Sequence, residues 1–235
     1  MTINPSPRPA LEPGLIQVAG IIDRAEAGLV AACGVRYLGF PLRLPVNRED
    51  LSEADAAAII RGLAPPLRGV LITYLREAAA VARFAERLGV RMVQLHGDIA
   101  GDELRRLRAL DPGLTVVKSL VVGLHPMPVL EELVRNASDW VDAFLTDTYA
   151  SDTGAAGATG RAHDWTLSRR LVELSPRPVI LAGGLTPTNV RQAIVAVRPF
   201  GVDVHTGVEG ADGRKERERL TAFVTEARRG FEVIG

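Results

Sequence analysis

Residues 178–206, PVILAGGLTPTNVRQAIVAVRPFGVDVHT, contain two apolar runs with a segment of helical period between them. The runs are PVILAG (178–183) and GVDVHT (201–206). The segment from Asn189 to Val197 follows the Thr186-Pro187 pair, a capping residue and a first-turn proline. Continuous Val, Ile and Leu runs are typical of parallel strands that are covered on both faces. The stretch therefore predicts a strand–helix–strand unit of an α/β protein.

The same alternation extends towards the N-terminus. Six further apolar runs, each followed by a helical segment, are LIQVA (15–19), VRYLGF (35–40), GVLITY (69–74), RMVQLH (91–96), LTVVKSL (114–120) and DAFLTD (142–147). Eight such strands in one chain of 235 residues predict a single-domain (β/α)₈ TIM barrel over residues 15–235. A doubly wound open sheet is the rival, but it would need a glycine-rich loop after the first strand, and none occurs there. The proline-rich residues 1–14 are expected to form a disordered arm.

Start and stop signals support the helical segments. Asp23 and Glu26 have the spacing of a capping box, and residues 76–89 have one apolar face and end at a glycine. The last helix is expected from about Arg214 to about Arg229. Its apolar side is formed by Leu220, Phe223 and Val224.

The bulk composition excludes several classes of function. The chain has 28 basic and 28 acidic residues and 5% aromatic residues, so neither nucleic acid nor a membrane surface is an expected partner. No apolar run reaches the ~18 residues that a membrane span needs. Cys33 is the only cysteine, which predicts a reducing cytoplasm and no intrachain disulfide. Four histidines lack metal-ligand spacing, so no metal site is predicted.

The loops after the last two strands have the chemistry of a phosphate site. Gly183 and Gly184 belong to the loop after the seventh strand, and Thr206 and Gly207 to the loop after the eighth. Glycines let backbone N–H groups approach an anion closely, and TIM barrels often bind phosphate at these two loops. One glycine pair alone would indicate only a tight turn, whereas the two loops together favour a small phosphorylated ligand.

Polar residues also end the fourth and sixth strands. Asp147 is placed to project towards the mouth, as a general acid or base or as a cap for its own loop. His96 by itself is more typical of a local hydrogen-bonding group than of a catalyst. The glycine-rich loop 151–160 either closes over a ligand or is a passive connection.

Five segments together resemble the phosphoribosylanthranilate isomerase family: VQLHG (93–97), LTDTY (145–149), GATG…DW (157–165), ILAGGLTPTNV (180–190) and GVDVHTGVEG (201–210). The resemblance covers residues 15–229 in the right order. It implies a TIM-barrel enzyme of tryptophan biosynthesis that converts an aminoaldose to an aminoketose, an Amadori rearrangement, without a cofactor. It leaves a monomer and a homodimer both open.

The resemblance also implies roles for individual residues. Asp147 matches the family's general acid, and Gly183, Gly184, Thr206 and Gly207 match its phosphate loops. The substrate-binding positions are matched by Gln94, His96 and Asp203. Arg48 aligns best with the arginine that holds the anthranilate carboxylate, and Arg43 is the alternative because this loop diverges.

The first strand departs from the family. The family signature is Lys-Ile-Cys-Gly, with the cysteine as general base, and here it reads Gln17-Val18-Ala19-Gly20. Alanine cannot accept a proton, and loss of a general base costs roughly 10²–10⁴-fold in rate. Cys33 lies on the following outer helix and is expected to be a small core residue. His205 replaces the family's serine on strand eight and is the sequence's candidate for a replacement base, although its facing is not fixed.

Three hypotheses follow. The first is an isomerase that acts on a phosphorylated aminoribose with Asp147 as acid and a base other than cysteine. The second is a paralogue with changed chemistry on another phosphosugar, in which Lys118, near the end of the fifth strand, forms a Schiff base or merely pairs with an anion. The third is a phosphosugar-binding protein without catalysis.

Overall fold

A computed structural model describes residues 8, 10–45, 51–150, 155–156 and 164–235. The strands in these ranges are β1 Leu15–Ala19, β2 Tyr37–Pro41, β3 Arg68–Thr73, β4 Met92–Leu95, β5 Thr115–Val122, β6 Ala143–Ala150, β7 Ala155–Ala156, β8 Val179–Leu181 and β9 Gly201–Val204. The helices are α1 Arg24–Ala32, α2 Glu53–Arg61, α3 Ala78–Leu88, α4 Gly101–Leu110, α5 Met127–Ala137, α6 Trp165–Leu174, α7 Val190–Val197 and α8 Arg217–Ile234. A short 3₁₀ turn, η1 Thr206–Val208, follows β9.

Eight of these strands form a closed parallel barrel, as predicted. The strand order around the barrel is β5-β4-β3-β2-β1-β9-β8-β6, and pairing of β5 with β6 closes it. β7 is not part of the barrel, because it pairs antiparallel with the end of β6. The seventh and eighth predicted strands are therefore β8 and β9, and the TIM-barrel prediction is confirmed.

The strand register sorts the inward-facing side chains into layers. Strands of a TIM barrel are tilted, so four residues from alternate strands lie at one height. Near the carboxyl ends, one such layer, here the upper layer, consists of Ala19, Ile72, Ser119 and Ala182. The layer beneath it, here the lower layer, consists of Gly39, Gln94, Leu145 and Asp203. His96 and Asp147 lie above both, at the mouth.

Capping explains where the helices begin and end. The Asp23 side chain accepts a hydrogen bond from the Glu26 N–H at 2.8 Å, and the Glu26 carboxylate accepts one from Ile22 N–H at 3.0 Å. The predicted capping box thus holds the start of α1, with the return bond one residue earlier than usual. Gly89 ends α3 with φ +81°, in the left-handed region that favours glycine.

The N-cap of α7 and the start of α8 lie later in the chain than the sequence predicts. α7 starts at Val190 with Asn189 as its N-cap, not at the Thr186-Pro187 pair. The Asn189 amide closes the preceding turn: its Oδ1 accepts from Thr186 N–H at 2.8 Å, and its Nδ2 donates to Gly184 O at 2.9 Å. α8 starts at Arg217 and runs to Ile234, beyond the predicted end.

Residues 10–14 lie at the amino-terminal end of the barrel. Gly14 N–H donates to Phe200 O at 2.9 Å, just before β9. Most of the predicted disordered arm, residues 1–7 and 9, lies outside the described residues. None of the helices within the described ranges is long and apolar enough to cross a membrane.

Candidate active site

Asp147 lies at the mouth of the barrel, on the inner face of β6. It is buried, its Oδ1 accepts from Thr148 N–H at 2.7 Å, and its Oδ2 lies 4.0 Å from His96 Nε2. Burial raises the pKa of Asp147, and the His96 ring and the Thr148 N–H only partly offset this. A carboxyl group with a raised pKa retains its proton closer to neutral pH, which suits a general acid.

His96 connects Asp147 to the interior of the barrel. Its Nδ1 lies 2.9 Å from Ser119 Oγ, and its ring meets the Tyr74 ring edge-on at 4.9 Å. Burial and the nearby Asp147 charge raise the pKa of Tyr74 to about 12, so this phenol remains neutral. The structure therefore brings His96 and Asp147 together at the mouth.

Below the mouth, a buried polar chain crosses the barrel. Gln17 Nε2 donates to Gln94 Oε1 at 2.8 Å, and Gln94 Nε2 lies 3.5 Å from Ser119 Oγ. Sequence reasoning missed Ser119. The continuous apolar run of β5 does not reveal which of its residues face inward.

Asp203 lies in the lower layer and is buried, with 7% of its surface exposed. Its Oδ1 has no hydrogen-bond partner among the described residues. Burial, with the nearby Asp147 charge, raises the pKa of Asp203 to about 7, although a hydrogen bond from the Gln17 side chain and the Lys215 charge act in the opposite direction. An aspartate of this kind changes charge near neutral pH.

His205 lies beside the position of the family's cysteine. Gly20 follows Ala19 with φ +78°, and a Cβ added to it would lie 2.1 Å from His205 Nε2, so the imidazole covers the end of β1. The same Nε2 lies 3.4 Å from Glu209 Oε1, which also accepts from Lys215 Nζ at 2.6 Å. The ring thus lies next to the end of β1, with its Nε2 near the Glu209 carboxylate.

The two glycine-containing loops meet at the mouth. Gly183 and Gly184 have φ of +92° and +63°, a conformation that other residues rarely adopt. A Cβ on Gly207 would lie 1.9 Å from Leu185 O, so the loops after β8 and β9 touch. They border a surface cavity of about 660 Å³, which is also lined by Thr206 and Arg219 among other residues. Glu218 also lines this cavity, and Arg219 Nε pairs with Glu216 Oε2 at 2.7 Å, so the phosphate assignment rests on the two glycine-containing loops and not on the side-chain charges.

Lys118 does not lie where the Schiff-base hypothesis places it. β5 continues to Val122, so Lys118 is in the middle of the strand, paired in register with Leu95 and Phe144 of the outer core. Its Nζ donates to Ser119 O at 2.8 Å, and burial lowers its pKa to about 8 despite the opposing charge of Asp98. Because alternate strand residues face opposite sides, Lys118 faces the helices and the mouth expectation was wrong.

The remaining candidate residues make contacts with the outer helices or lie outside the described ranges. Arg43 has φ +57°, donates from Nε to Glu53 Oε1 at 2.8 Å and stacks 4.0 Å from the Phe84 ring centre, against α2 and α3. Arg48 lies outside the described residues, as does most of the loop 151–160. Cys33 follows α1 on the outside of the barrel, 3.8 Å from Thr221 Oγ1, and is not part of the site.

Comparisons with known proteins agree with this fold. Residues 25–226 match the family model of N-(5'-phosphoribosyl)anthranilate isomerase. N-(5'-phosphoribosyl)anthranilate isomerase 2 of Methanosarcina mazei is 36% identical, over 92% of this chain and 95% of the relative. The corresponding isomerase of Haloferax volcanii is 38% identical, over 91% and 92% of the two chains. The crystal structure of phosphoribosylanthranilate isomerase from Thermotoga maritima superposes with a TM-score of 0.78 at 28% identity, over 92% of this chain and 99% of that one. The chain belongs to the N-(5'-phosphoribosyl)anthranilate isomerase family.

Proposed function

We propose that this protein isomerises N-(5'-phosphoribosyl)anthranilate to the corresponding aminoketose, with Asp147 as general acid and a base other than a thiol. The observation that carries the proposal is the buried Asp147 carboxyl, whose pKa is raised, at the mouth of a barrel with two glycine-containing loops beside it. One solved relative, with a TM-score of 0.76, contains a reduced 1-(o-carboxyphenylamino)-1-deoxyribulose 5-phosphate. That ligand has the phosphate and the aminoketose skeleton that the proposed product has.

The substrate would be held at several points around the mouth. The loops that contain Gly183 and Gly184, and Thr206 and Gly207, would bind the 5'-phosphate through backbone N–H groups. Gln94, His96 and Asp203 would border the ribose, and Arg48 is the proposed partner of the anthranilate carboxylate. Asp147 would protonate the ring oxygen, which opens the ring and leaves an iminium at C1.

The base must then remove the proton from C2. Two described groups with proton-accepting atoms flank Ala19: His205, which covers the end of β1, and Asp203, in the layer beneath. His205 is the residue that the sequence proposes for this step. The isomerase proposal requires only that a group other than a thiol takes the proton.

The test is turnover of freshly made phosphoribosylanthranilate, followed by the fluorescence of its anthranilate group. We expect wild-type turnover and a roughly 10²–10⁴-fold lower kcat/KM for Asp147→Asn. Asp102→Asn is the matched control, since its carboxylate is exposed on α4, and it should retain wild-type activity.

The outcomes separate the three hypotheses. A wild type that binds the substrate without converting it would support a phosphosugar-binding protein and overturn the isomerase proposal. Full activity of Asp147→Asn would overturn the assignment of the acid. A wild type that neither binds nor converts this compound would show that the substrate has changed.

A further inference from the structure

We propose that the base is Asp203, and that the glutamine at position 17 is what makes it one. This inference rests on the proposed isomerase function and assigns the proton acceptor of that reaction. Asp203 then has a catalytic role. Gln17 is a positioning residue: its neutral amide occupies the place beside the Asp203 carboxylate where a lysine would supply a positive charge.

The layers of the barrel place Asp203 directly beneath the site of the missing thiol. Three of the four upper-layer residues are small, namely Ala19, Ser119 and Ala182. With alanine in place of a cysteine, less side chain stands between the mouth and the Asp203 carboxyl on the neighbouring strand. Asp203 therefore forms the floor of the pocket below the position from which the family's thiol acts.

The hydrogen bonds of Asp203 leave a proton-accepting atom unused. The Gln17 amide donates to Gln94 Oε1 at 2.8 Å and also hydrogen-bonds the Asp203 side chain. Asp203 Oδ1 has no partner among the described residues, although a buried carboxylate oxygen is ordinarily satisfied. An oxygen of this kind is the atom that a C–H proton needs.

Position 17 controls the charge beside this carboxyl. β1 and β9 pair in parallel with Gln17 in register with Asp203, so a lysine at position 17, as in the family signature, would place an ammonium against the carboxylate. An ammonium there would hold the pKa of Asp203 low and make it a weak base. The neutral Gln17 amide does not, and burial instead raises this pKa to about 7. A base that titrates near the working pH is the most effective proton acceptor.

The other charged groups around Asp203 act in known directions. Asp147 on β6 raises its pKa, and Lys215, before α8, lowers it. His96 on β4 and His205, after β9, border the same end of the barrel. His205 is the competing base, and its Nε2 lies 3.4 Å from Glu209 Oε1.

The chemistry balances with these two carboxyl groups. Asp147 gives its proton to the ring oxygen, the C1–O bond breaks, and the iminium forms. The Asp203 carboxylate takes the proton from C2, the C–H electron pair forms the C1=C2 bond, and the iminium electrons return to nitrogen. The enolamine then loses the O2 proton and gains one at C1, which returns both carboxyl groups to their starting states.

The test compares the pH dependence of kcat/KM in the wild type and three variants. Wild-type activity should fall on the acid side with a midpoint near pH 7. Asp203→Asn should lower kcat/KM roughly 10²–10⁴-fold. Gln17→Lys should move the acid limb down by more than one pH unit and lower kcat, whereas the neutral Gln17→Met should leave the limb at or above its wild-type position.

If Asp203 and Gln17 had only structural roles, a change of charge at position 17 would not move the acid-side midpoint of the pH profile of kcat/KM. His205→Asn should keep the limb of the wild type. Loss of the limb in His205→Asn, or retention of a tenth or more of the activity in Asp203→Asn, would overturn this assignment while leaving the isomerase proposal intact. An inert wild type would overturn both.

Discussion

Asp203→Asn should stabilise the folded protein at neutral and alkaline pH. The pKa of Asp203 in the fold is about 7, above its ordinary 3.8, so the unfolded chain releases this proton first as the pH rises. Ionisation therefore favours the unfolded chain, and stability falls between about pH 4 and about pH 7. At roughly 1.4 kcal/mol per pH unit, the penalty in the wild type reaches about 4 kcal/mol above pH 7. An asparagine at this position carries no charge, so the variant does not have this free-energy penalty.

The assay is urea unfolding of the wild type and Asp203→Asn between pH 5 and pH 8. The difference in the free energy of unfolding, variant minus wild type, should increase by about 2–3 kcal/mol over this range. A constant offset from changed hydrogen bonds does not affect this pH-dependent part. Asp102→Asn, whose carboxylate is exposed, is the control and should show no comparable change.

A pH-independent difference between Asp203→Asn and the wild type would refute the reasoning. It would mean that Asp203 ionises in the fold as it does in the unfolded chain, and a base near pH 7 would then have to be another group. A decrease of the difference with rising pH would show a carboxylate that the fold stabilises, the opposite of what its environment predicts.

Three further substitutions test the fold around the site. Gly207→Ala must push the loops apart, because its Cβ would lie 1.9 Å from Leu185 O, so the inhibition constant of inorganic phosphate should rise at least tenfold. Gly20→Ala places a Cβ 2.1 Å from His205 Nε2 at a left-handed residue, so the melting temperature should fall, and His205→Gly in the same background should recover part of the loss. Phe223→Ala on α8 removes a fully buried ring and should cost about 3–5 kcal/mol of unfolding free energy in urea, and a loss below about 1 kcal/mol would contradict its place in the core.

The barrel was predictable from sequence because its strands are buried on both faces and alternate with capped helices. The same property limits what can be predicted within a strand. The run 114–120 has no alternation, so nothing in it distinguishes the outward Lys118 from the inward Ser119. The helix predicted at Asn189–Val197 is found at Val190–Val197, but its N-cap is Asn189 and not Thr186, because the Asn189 side chain closes the preceding turn.

The candidate site divides in the same way. Asp147 could be predicted from a short motif, although β6 continues to Ala150, beyond the strand end that the sequence predicts at Asp147. The raised pKa of Asp203 could not be predicted. It depends on which residue of β1 lies in register with Asp203 and on the size of the side chains in the layer above it. Those are contacts between segments far apart in the chain, and a single sequence contains no record of them.

Gln17 and Ala19 share the inner side of β1, and Gln17 is in register with Asp203 and hydrogen-bonds its side chain. Under the proposed role of Asp203, this arrangement constrains the order in which a thiol-dependent ancestor reaches the present sequence. A first change at position 19 removes the thiol while a lysine at position 17 still neutralises Asp203, and that intermediate has no strong base. A first change at position 17 frees Asp203 while the thiol remains. The evolutionary path that preserves activity at every step therefore begins at position 17.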